Sequence, residues 1–310
     1  MRQPRRARLW PRTPAALAAY VQGVAVGRVL WCWLALFTAL PSAAAEPTGV
    51  MVEERARTFL VRRPASHGPH PTIIMLHRGD GTAEEELQLS GLAEAGVGRG
   101  YATVFPQALA GYWNFFPSGR ENGFFTHYFR ASGGVPDDLS FLRGLADRLV
   151  RDGITDPRRI YLAGRSLGGA MVLRLACADA ERFAAIGLLT TAMPDVVGAE
   201  CRPSRPIPVI VVNATKDRVL PYRGERHGGL EVLWSTERLV AFFRRLNRCG
   251  DGEQRTIPPD RQTPEVVVDR WGECPGGPVV LHSIVGADHQ LPGELNTART
   301  LLDFFAGQAR

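Results

Sequence analysis

The fold is decided by a short stretch in the middle of the chain, Gly164-Arg165-Ser166-Leu167-Gly168-Gly169. An apolar run at 159–164 predicts a buried strand, and the spacing of apolar residues in 167–178 predicts a helix. A serine between glycines at such a strand-to-helix turn has the G-x-S-x-G pattern of a nucleophile elbow. The start of the helix favours negative charge that develops beside Ser166. The motif therefore predicts a nucleophilic serine; a plain glycine-rich turn is the alternative.

Short apolar runs and helix-like stretches also alternate on both sides of this motif. Strand-like runs that are bounded by turn residues cover 72–77, 102–105, 207–213 and 278–285. Helical spacing covers 137–152, 237–247 and 294–306. Strands that alternate with helices form a mostly parallel central sheet with helices on both faces. We therefore predict an α/β fold in a single domain, since the sequence has neither a Ser/Thr-rich linker nor a second compositional block.

A nucleophilic serine needs a base, and the base needs an acid that orients it. In this architecture the three residues follow in the order serine, acid, histidine, with the later two after strands. Asp217 follows the strand-like run 207–213, and His289 lies in the loop after the last predicted strand. We predict that Ser166, Asp217 and His289 form a catalytic triad.

Three other residues are alternatives for the acid and the base. Asp195 also follows Ser166, but the sequence around it is less typical of a strand. His282 lies inside a strand pattern, where a packing role is the simpler interpretation. His227 follows the predicted acid without the context of a strand end.

A developing oxyanion needs two backbone N–H donors. We expect one from Leu167, the residue after the nucleophile. We expect the other from the loop after the strand that ends at His77, and either Arg78 or Gly79 could supply it. A tight turn without a catalytic role is the alternative for this loop.

Aromatic residues are concentrated after the predicted strand 102–105, at Tyr112, Trp113, Phe115, Phe116, Phe124, Phe125, Tyr128 and Phe129. The carboxyl ends of parallel strands are where α/β proteins build binding sites. One interpretation is an apolar substrate pocket, for which the candidates are Trp113, Phe115 and Phe116, together with Leu291 beyond His289. Ordinary core packing is the alternative, with equal weight.

The first 45 residues differ from the rest of the chain. They contain six arginines and no acidic residue, and they end in an apolar run at 29–40 and a small-residue stretch at 41–45. This order is typical of an export signal. We expect a signal peptide at 1–45 and a single catalytic domain at 46–310 that is secreted or periplasmic. An uncleaved membrane anchor is the alternative.

Charge and composition exclude several classes of protein. The formal net charge of +6 arises in residues 1–45, and the remainder has 31 basic and 31 acidic residues. Without excess positive charge the body offers no electrostatic footprint for nucleic acid. The 45% hydrophobic and 22% charged residues are ordinary for a globular protein. We expect no nucleic-acid partner and no membrane contact beyond the export signal, and the sequence does not indicate an oligomeric state.

Four cysteines lie outside the leader, at Cys177, Cys201, Cys249 and Cys274. An even number in an oxidising compartment predicts two disulfides, and three pairings are possible. Buried free thiols are the alternative. No pair has C-x-x-C spacing, so we expect no metal site.

Several short motifs together make the chain similar to a known family. They are Leu76-His77 with the glycine-rich loop after it, Asp137-Asp138 with Phe141-Leu142, and the stretches 156–159, 164–169, 175–177, 217–222, 246–249 and 286–293. From about residue 55 to 305 the chain resembles the secreted α/β-hydrolase esterases known as polyhydroxybutyrate depolymerases and feruloyl esterases. The resemblance implies the α/β-hydrolase fold and cleavage of a polyester, an oligoester or an acylated polysaccharide, without a cofactor.

Three residues depart from the usual pattern of that family. Arg78 stands where glycine is usual after the strand-ending histidine, Leu167 replaces an asparagine that is common near the nucleophile, and Leu291 replaces a tryptophan. The change at Arg78 leaves a catalytically weak binding protein as an alternative. A prolyl-oligopeptidase-like serine peptidase shares the triad, but such enzymes usually carry an additional N-terminal domain.

Overall fold

The computed structural model describes residues 47–52, 55–117, 127, 129, 133–293 and 295–310. The predicted export signal at 1–45 and three of the clustered aromatic residues, Phe124, Phe125 and Tyr128, lie outside the described residues. None of the helices in the described part of the chain combines the length and the apolar character that a membrane crossing requires.

Twelve strands are present in the described residues. Ten of them, which form the main sheet, are Pro47–Val52 (β1), Arg55–Arg62 (β2), His70–Leu76 (β3), Ala102–Pro106 (β4), Thr155–Arg165 (β5), Ala185–Leu189 (β6), Val209–Ala214 (β7), Glu253–Ile257 (β10), Val266–Trp271 (β11) and Val279–Ile284 (β12). The other two, Glu225–His227 (β8) and Leu230–Leu233 (β9), form a separate ribbon.

The main sheet has the spatial order β1-β2-β4-β3-β5-β6-β7-β12-β11-β10. The strands from β4 to β12 in this order pair in parallel, and the pairs at both edges are antiparallel. Buried parallel strands are apolar on both faces, as β6 and β7 are throughout. The predicted mostly parallel sheet is therefore confirmed.

Helices cover both faces of this sheet, as predicted. Their bounds are Ala83–Leu89 (α1), Leu92–Gly98 (α2), Asp138–Arg151 (α3), Leu167–Ala178 (α4), Asp195–Gly198 (α5), Thr236–Asn247 (α6) and Thr297–Phe305 (α7). One core cluster joins α3, α4 and α6 to the sheet, and the other joins α1, α2 and α7 to its opposite face. Two short 3-10 turns, Leu109–Gly111 and Ala180–Arg182, complete the described elements.

Sequence patterns missed the short and the edge elements. β6 is only Ala-Ile-Gly-Leu-Leu, and a Cβ at its Gly187 would lie 2.5 Å from Leu301 Cδ2, so a larger residue would displace that side chain. Every residue of β10 is exposed, so its sequence lacks the alternation of apolar and polar residues that predicts a strand. The strand depends on its pairing with β11. The predicted helix at 294–306 begins later, because the Asn296 side chain caps it by accepting from the Arg299 N–H at 2.8 Å.

The two predicted disulfides are confirmed, and the pairing is sequential. Cys177 at the end of α4 bonds to Cys201, which follows α5, across 24 positions. Cys249 after α6 bonds to Cys274 before β12, across 25 positions. In the chain-entropy model each such loop stabilises the folded state by roughly 3–4 kcal/mol.

Burial of a histidine in β12 makes the fold sensitive to acid. Desolvation, with a smaller contribution from Arg255, lowers the pKa of His282 to about 4. The unfolded chain binds this proton from about pH 6.5 downward and the folded chain does not. The free energy of unfolding is therefore unaffected by His282 above pH 6.5 and falls as the pH drops toward 4. Between pH 7 and pH 4.5, we expect the free energy of unfolding to fall by on the order of 2 kcal/mol less in His282→Leu than in wild type. Urea unfolding at the two pH values measures this difference.

The matched control is His67→Leu, because the His67 side chain is exposed. This control should keep the pH dependence of the wild type. Identical losses in wild type and His282→Leu would contradict the assignment.

Candidate active site

Ser166 occupies the sharp turn between β5 and α4. Its backbone angles, φ 53° and ψ −122°, lie in a region that a non-glycine residue rarely adopts. The Ser166 N–H donates to the Leu189 carbonyl at 2.9 Å, and the Thr191 hydroxyl donates to the Ser166 carbonyl at 2.8 Å. Neighbouring strand β6 and the loop after it therefore hold the strained turn in place.

The glycines of the motif are required by the close approach of strand and helix. A Cβ on Gly164 would lie 2.5 Å from the carbonyl group of Gly168. A Cβ on Gly168 would lie 2.5 Å from the carbonyl oxygens of Leu76 and His77 at the end of β3. Any side chain at either position would push α4 away from the sheet, and Ser166 with it.

The structure brings the three predicted triad residues together. The Ser166 hydroxyl lies 2.9 Å from His289 Nε2, and His289 Nδ1 lies 2.7 Å from Asp217 Oδ2. With Nδ1–H donating to the carboxylate, Nε2 is the acceptor for the serine proton. The other carboxylate oxygen of Asp217 accepts the N–H groups of Val219 and Leu220, both at 2.8 Å. The aspartate is thereby oriented toward the histidine from both sides.

A second carboxylate joins the two loops that carry the acid and the base. Asp288 Oδ1 accepts from the N–H of His289 at 2.8 Å and from the N–H of Arg218 at 3.0 Å. The hydrogen bond from the Arg218 guanidinium is the main cause that lowers the pKa of Asp288 to about 2. Sequence reasoning missed this role, although the signal was available: Asp288 directly precedes His289, and Arg218 directly follows Asp217.

The alternative acid and bases have other contacts. Asp195 accepts from the Trp234 indole N–H at 2.7 Å. His227 lies 2.7 Å from Glu225 in the exposed ribbon. His282 lines a different cavity, beside Arg255. None of the described contacts of these three residues involves Ser166.

The three candidates for the oxyanion donors lie around the nucleophile. Arg78, Gly79 and Leu167 all line the cleft that contains Ser166. A Cβ on Gly79 would lie 2.5 Å from Leu167 Cδ1, so the loop after β3 packs directly on the first residue of α4. No described residue accepts the backbone N–H of Leu167, Arg78 or Gly79. These donors are therefore available, and both Arg78 and Gly79 remain candidates for the second one.

The Arg78 side chain forms hydrogen bonds with the backbone of this loop. Its guanidinium donates to the carbonyls of Gly79 at 3.3 Å and Asp80 at 3.2 Å, and it contacts the Glu85 carboxylate at 3.3 Å. The His77 ring donates from Nδ1 to the Arg78 carbonyl at 2.6 Å. In a planar trans peptide the N–H points opposite to the preceding carbonyl. Because the Arg78 carbonyl faces His77, the Gly79 N–H faces away from that ring.

His77 is a buried structural residue. Desolvation lowers its pKa to about 4, and its Nε2 accepts the Ala108 N–H at 3.1 Å. Its backbone carbonyl accepts the indole N–H of Trp113 at 3.0 Å. A neutral ring can donate at Nδ1 and accept at Nε2 together, which fixes the conformation at the start of the loop after β3.

The lining of the cleft at Ser166 differs in part from the sequence interpretation. It has a volume of about 650 Å³ and contains Leu291 in its wall. Trp113 is fully buried, and Phe115 and Phe116 stack on each other in the core at a centroid distance of 4.4 Å. The interpretation of these three aromatic residues as pocket residues is corrected, because the Trp113 indole finds a buried acceptor instead. Tyr112 is the residue of this segment that reaches the cleft.

Among the described residues, no group of three histidine, cysteine or acidic side chains could hold a metal ion. The polar side chains in the cleft are the hydroxyls of Ser166, Thr190 and Tyr112, the His289 imidazole, the Gln290 amide and the guanidinium groups of Arg78 and Arg165. Such a set is suited to nucleophilic and acid–base chemistry at a carbonyl carbon.

Comparisons with known proteins place the chain near esterases. No protein-family model matches it. It is 32% identical over 191 residues to NocK of Nocardia uniformis subsp. tsuyamanensis, which is provisionally named an esterase, covering 59% of this chain and 52% of NocK. It is 27% identical over 230 residues to feruloyl esterase B of Piromyces equi, covering 71% of this chain and 39% of that protein. The chain thus spans about half the length or less of these curated relatives.

A solved structure extends the comparison to the fold. The acetyl xylan esterase from Aspergillus awamori superposes with a TM-score of 0.61 at 12% sequence identity. The match covers 84% of this chain and 99% of that one. At this identity the likeness concerns the fold alone.

The packing at the elbow predicts opposite effects for the same substitution at two helical glycines. Gly168→Ala forces a methyl group onto two backbone carbonyls and should lower the free energy of unfolding by about 1–3 kcal/mol. Gly144→Ala in α3 has open space around its Cβ and should raise it by about 0.5–1 kcal/mol. Urea denaturation of both variants tests the prediction, and a neutral effect at Gly168 would contradict it.

Proposed function

We propose that this chain, which has the predicted α/β-hydrolase fold and the predicted similarity to esterases, is a carboxylic ester hydrolase with the triad Ser166, His289 and Asp217. One observation carries the proposal: hydrogen bonds run from the serine hydroxyl through the imidazole to the carboxylate, at 2.9 Å and 2.7 Å. This series of hydrogen bonds ends at Ser166, which lies in the wall of an open cleft. This is the arrangement that nucleophilic acyl transfer requires.

The proposed reaction has two steps, acylation of Ser166 and hydrolysis of the acyl-enzyme. The Ser166 oxygen attacks the ester carbonyl carbon while His289 Nε2 takes the serine proton. The tetrahedral intermediate collapses, the bond to the alcohol oxygen breaks, and His289 returns the proton to that oxygen. Water then attacks the acyl-enzyme with His289 as base, which releases the carboxylic acid and restores the serine. Asp217 orients the imidazole and stabilises its charged form throughout.

The oxyanion of both tetrahedral intermediates lies between the N–H of Leu167 and the N–H of Arg78 or Gly79. The first of these is at the start of α4, where the helix dipole also favours negative charge. The guanidinium of Arg78 contacts carbonyls of the loop, so the arginine that replaces glycine supports this donor set.

A catalytically weak binding protein is less consistent with these contacts. Binding alone does not require a serine at strained backbone angles, or an aspartate that is oriented by two N–H groups. The peptidase alternative has no contact in the described residues that favours it. Hydrolysis of an ester is therefore the function that the geometry supports best.

We place the substrate among acyl esters of the kind that feruloyl esterases cleave, since feruloyl esterase B is one of the relatives. Polyesters of hydroxybutyrate stay a prediction from the sequence resemblance. The two disulfides support the proposal that the protein works outside the cytoplasm, where such bonds persist.

Replacing the nucleophile should abolish ester hydrolysis. Ser166→Ala removes the attacking oxygen, and we expect kcat/KM for p-nitrophenyl acetate to fall by about 10³-fold or more. Asp217→Asn should lose a large part of the rate, because the amide can no longer select the tautomer of His289. The control is Ser204→Ala, at an exposed loop serine far along the chain from the elbow. Equal rates for Ser166→Ala and wild type would overturn the proposal.

The loop contacts of Arg78 predict a selective effect on the chemical step. Arg78→Ala frees the carbonyls of Gly79 and Asp80, so the oxyanion donor becomes less well positioned. We expect kcat to fall about tenfold with little change in KM, since the interaction strengthens in the transition state. Arg78→Lys should restore part of the rate. Arg99→Ala, which removes another exposed paired arginine, is the control, and an unchanged kcat in Arg78→Ala would contradict the prediction.

A further inference from the structure

A second cavity of about 360 Å³ adjoins the cleft that contains Ser166. We call it the side cavity. It shares four wall residues with the cleft, namely Leu89, Arg165, Leu291 and Gly293. The two spaces therefore border each other along these residues, and Arg165 lies at their boundary.

Arg165 directly precedes the nucleophile and forms part of the wall between the two spaces. Its Nε donates to both oxygens of Glu86 on α1, at 3.2 Å and 3.3 Å. The Glu86 side chain is only 2% exposed and the Arg165 side chain 17%. The ion pair thus fixes the arginine at its Nε edge. None of the described residues accepts from the two terminal nitrogens, which leaves their N–H groups for a ligand.

The spaces on the two sides of Arg165 both combine apolar and polar side chains, but they differ in charge. The cleft around Ser166 has aliphatic side chains together with the polar side chains of Arg78, Tyr112, Thr190, His289 and Gln290. The side cavity has the apolar Ala95, Pro292, Leu295 and Ala298 together with the uncharged polar Gln88, Ser90, Asn296 and Thr297. Arg165 is the one charged residue among the described residues of that second wall. A neutral group with hydrogen-bonding oxygens suits the side cavity.

The position of the base indicates which half of the ester enters the side cavity. His289 must lie within hydrogen-bond reach of the leaving alcohol oxygen, because it returns the proton to that atom. The chain that follows His289, at Leu291, Pro292 and Gly293, forms a wall of the side cavity. The alcohol half of the ester is therefore the half on this side.

We propose that the side cavity is a subsite for the alcohol half of the ester, and that Arg165 determines specificity there by donating hydrogen bonds to neutral hydroxyl groups. The proposal rests on the proposed esterase function. A neutral ligand is favoured over a carboxylate, since Glu86 already balances the charge of Arg165. The substrate class is thus an ester of a polyhydroxylated alcohol.

Two acetate esters that differ only in hydroxyl groups test the proposal. Glyceryl 1-acetate and propyl acetate have the same acyl group and the same alcohol chain length. We expect the wild type to have the higher kcat/KM for the glyceryl ester. In Arg165→Met the ratio of the two kcat/KM values should fall about tenfold, mainly through KM of the glyceryl ester, because the lost hydrogen bonds form only with that substrate. Arg99→Met should keep the ratio of the wild type.

The buried carboxylate needs its own control, since Arg165→Met leaves Glu86 without a partner. The double variant Arg165→Met/Glu86→Gln removes that charge and should show the same fall in the ratio. Arg165→Lys should restore part of the preference.

Three results would overturn the proposal. One is an equal loss for both esters in Arg165→Met, which would give Arg165 a structural role only. Another is the absence of a preference in wild type. The third is a loss of kcat/KM in Arg165→Met that is confined to 3-acetoxypropanoate. The alcohol half of this ester carries a carboxylate, so the subsite would then be specific for anions. Failure of the esterase function itself is distinguished by Ser166→Ala, which would then hydrolyse all three esters at the wild-type rate.

Discussion

The contact between the turn after β5 and the end of β3 is the constraint on which the rest of the site depends. Gly164 and Gly168 allow α4 to lie against the backbone carbonyls of Leu76 and His77. Ser166 has strained backbone angles in the turn between these two glycines, and the Leu167 side chain packs against the loop at Gly79. The proposed nucleophile and the proposed oxyanion donors thus depend on a single packing contact, in which there is no space for a side chain.

The acid and the base depend on a different feature, the parallel pairing of β7 with β12. Because adjacent parallel strands end at the same edge of the sheet, the loops that follow them bring Asp217 and His289 within 2.7 Å. Asp288 then joins the two loops through the N–H groups of Arg218 and His289. A carboxylate outside the proposed proton path thus links the two loops that carry Asp217 and His289.

The short helix α1 connects the cleft to both of its arginines. Glu85 contacts Arg78 and also forms the capping box of α1 with Thr82, while Glu86 holds Arg165 in the wall. Burial raises the pKa of Glu86, and the adjacent arginine opposes that shift. Two consecutive acidic residues on one helix therefore contact both the proposed oxyanion loop and the proposed alcohol subsite.

The sequence by itself determined the elements whose signal is local: the elbow, the long amphipathic helices and the parallel strands other than β6. It also determined the order of Ser166, Asp217 and His289. Only the tertiary structure decided which aromatic residues reach the cleft, how the cysteines pair and that Arg165 and Glu86 meet across 79 positions. The physical reason is that periodicity reports how one segment buries its own apolar face. A hydrogen bond between distant side chains, such as Trp113 to His77, depends on a chain path that no single segment encodes.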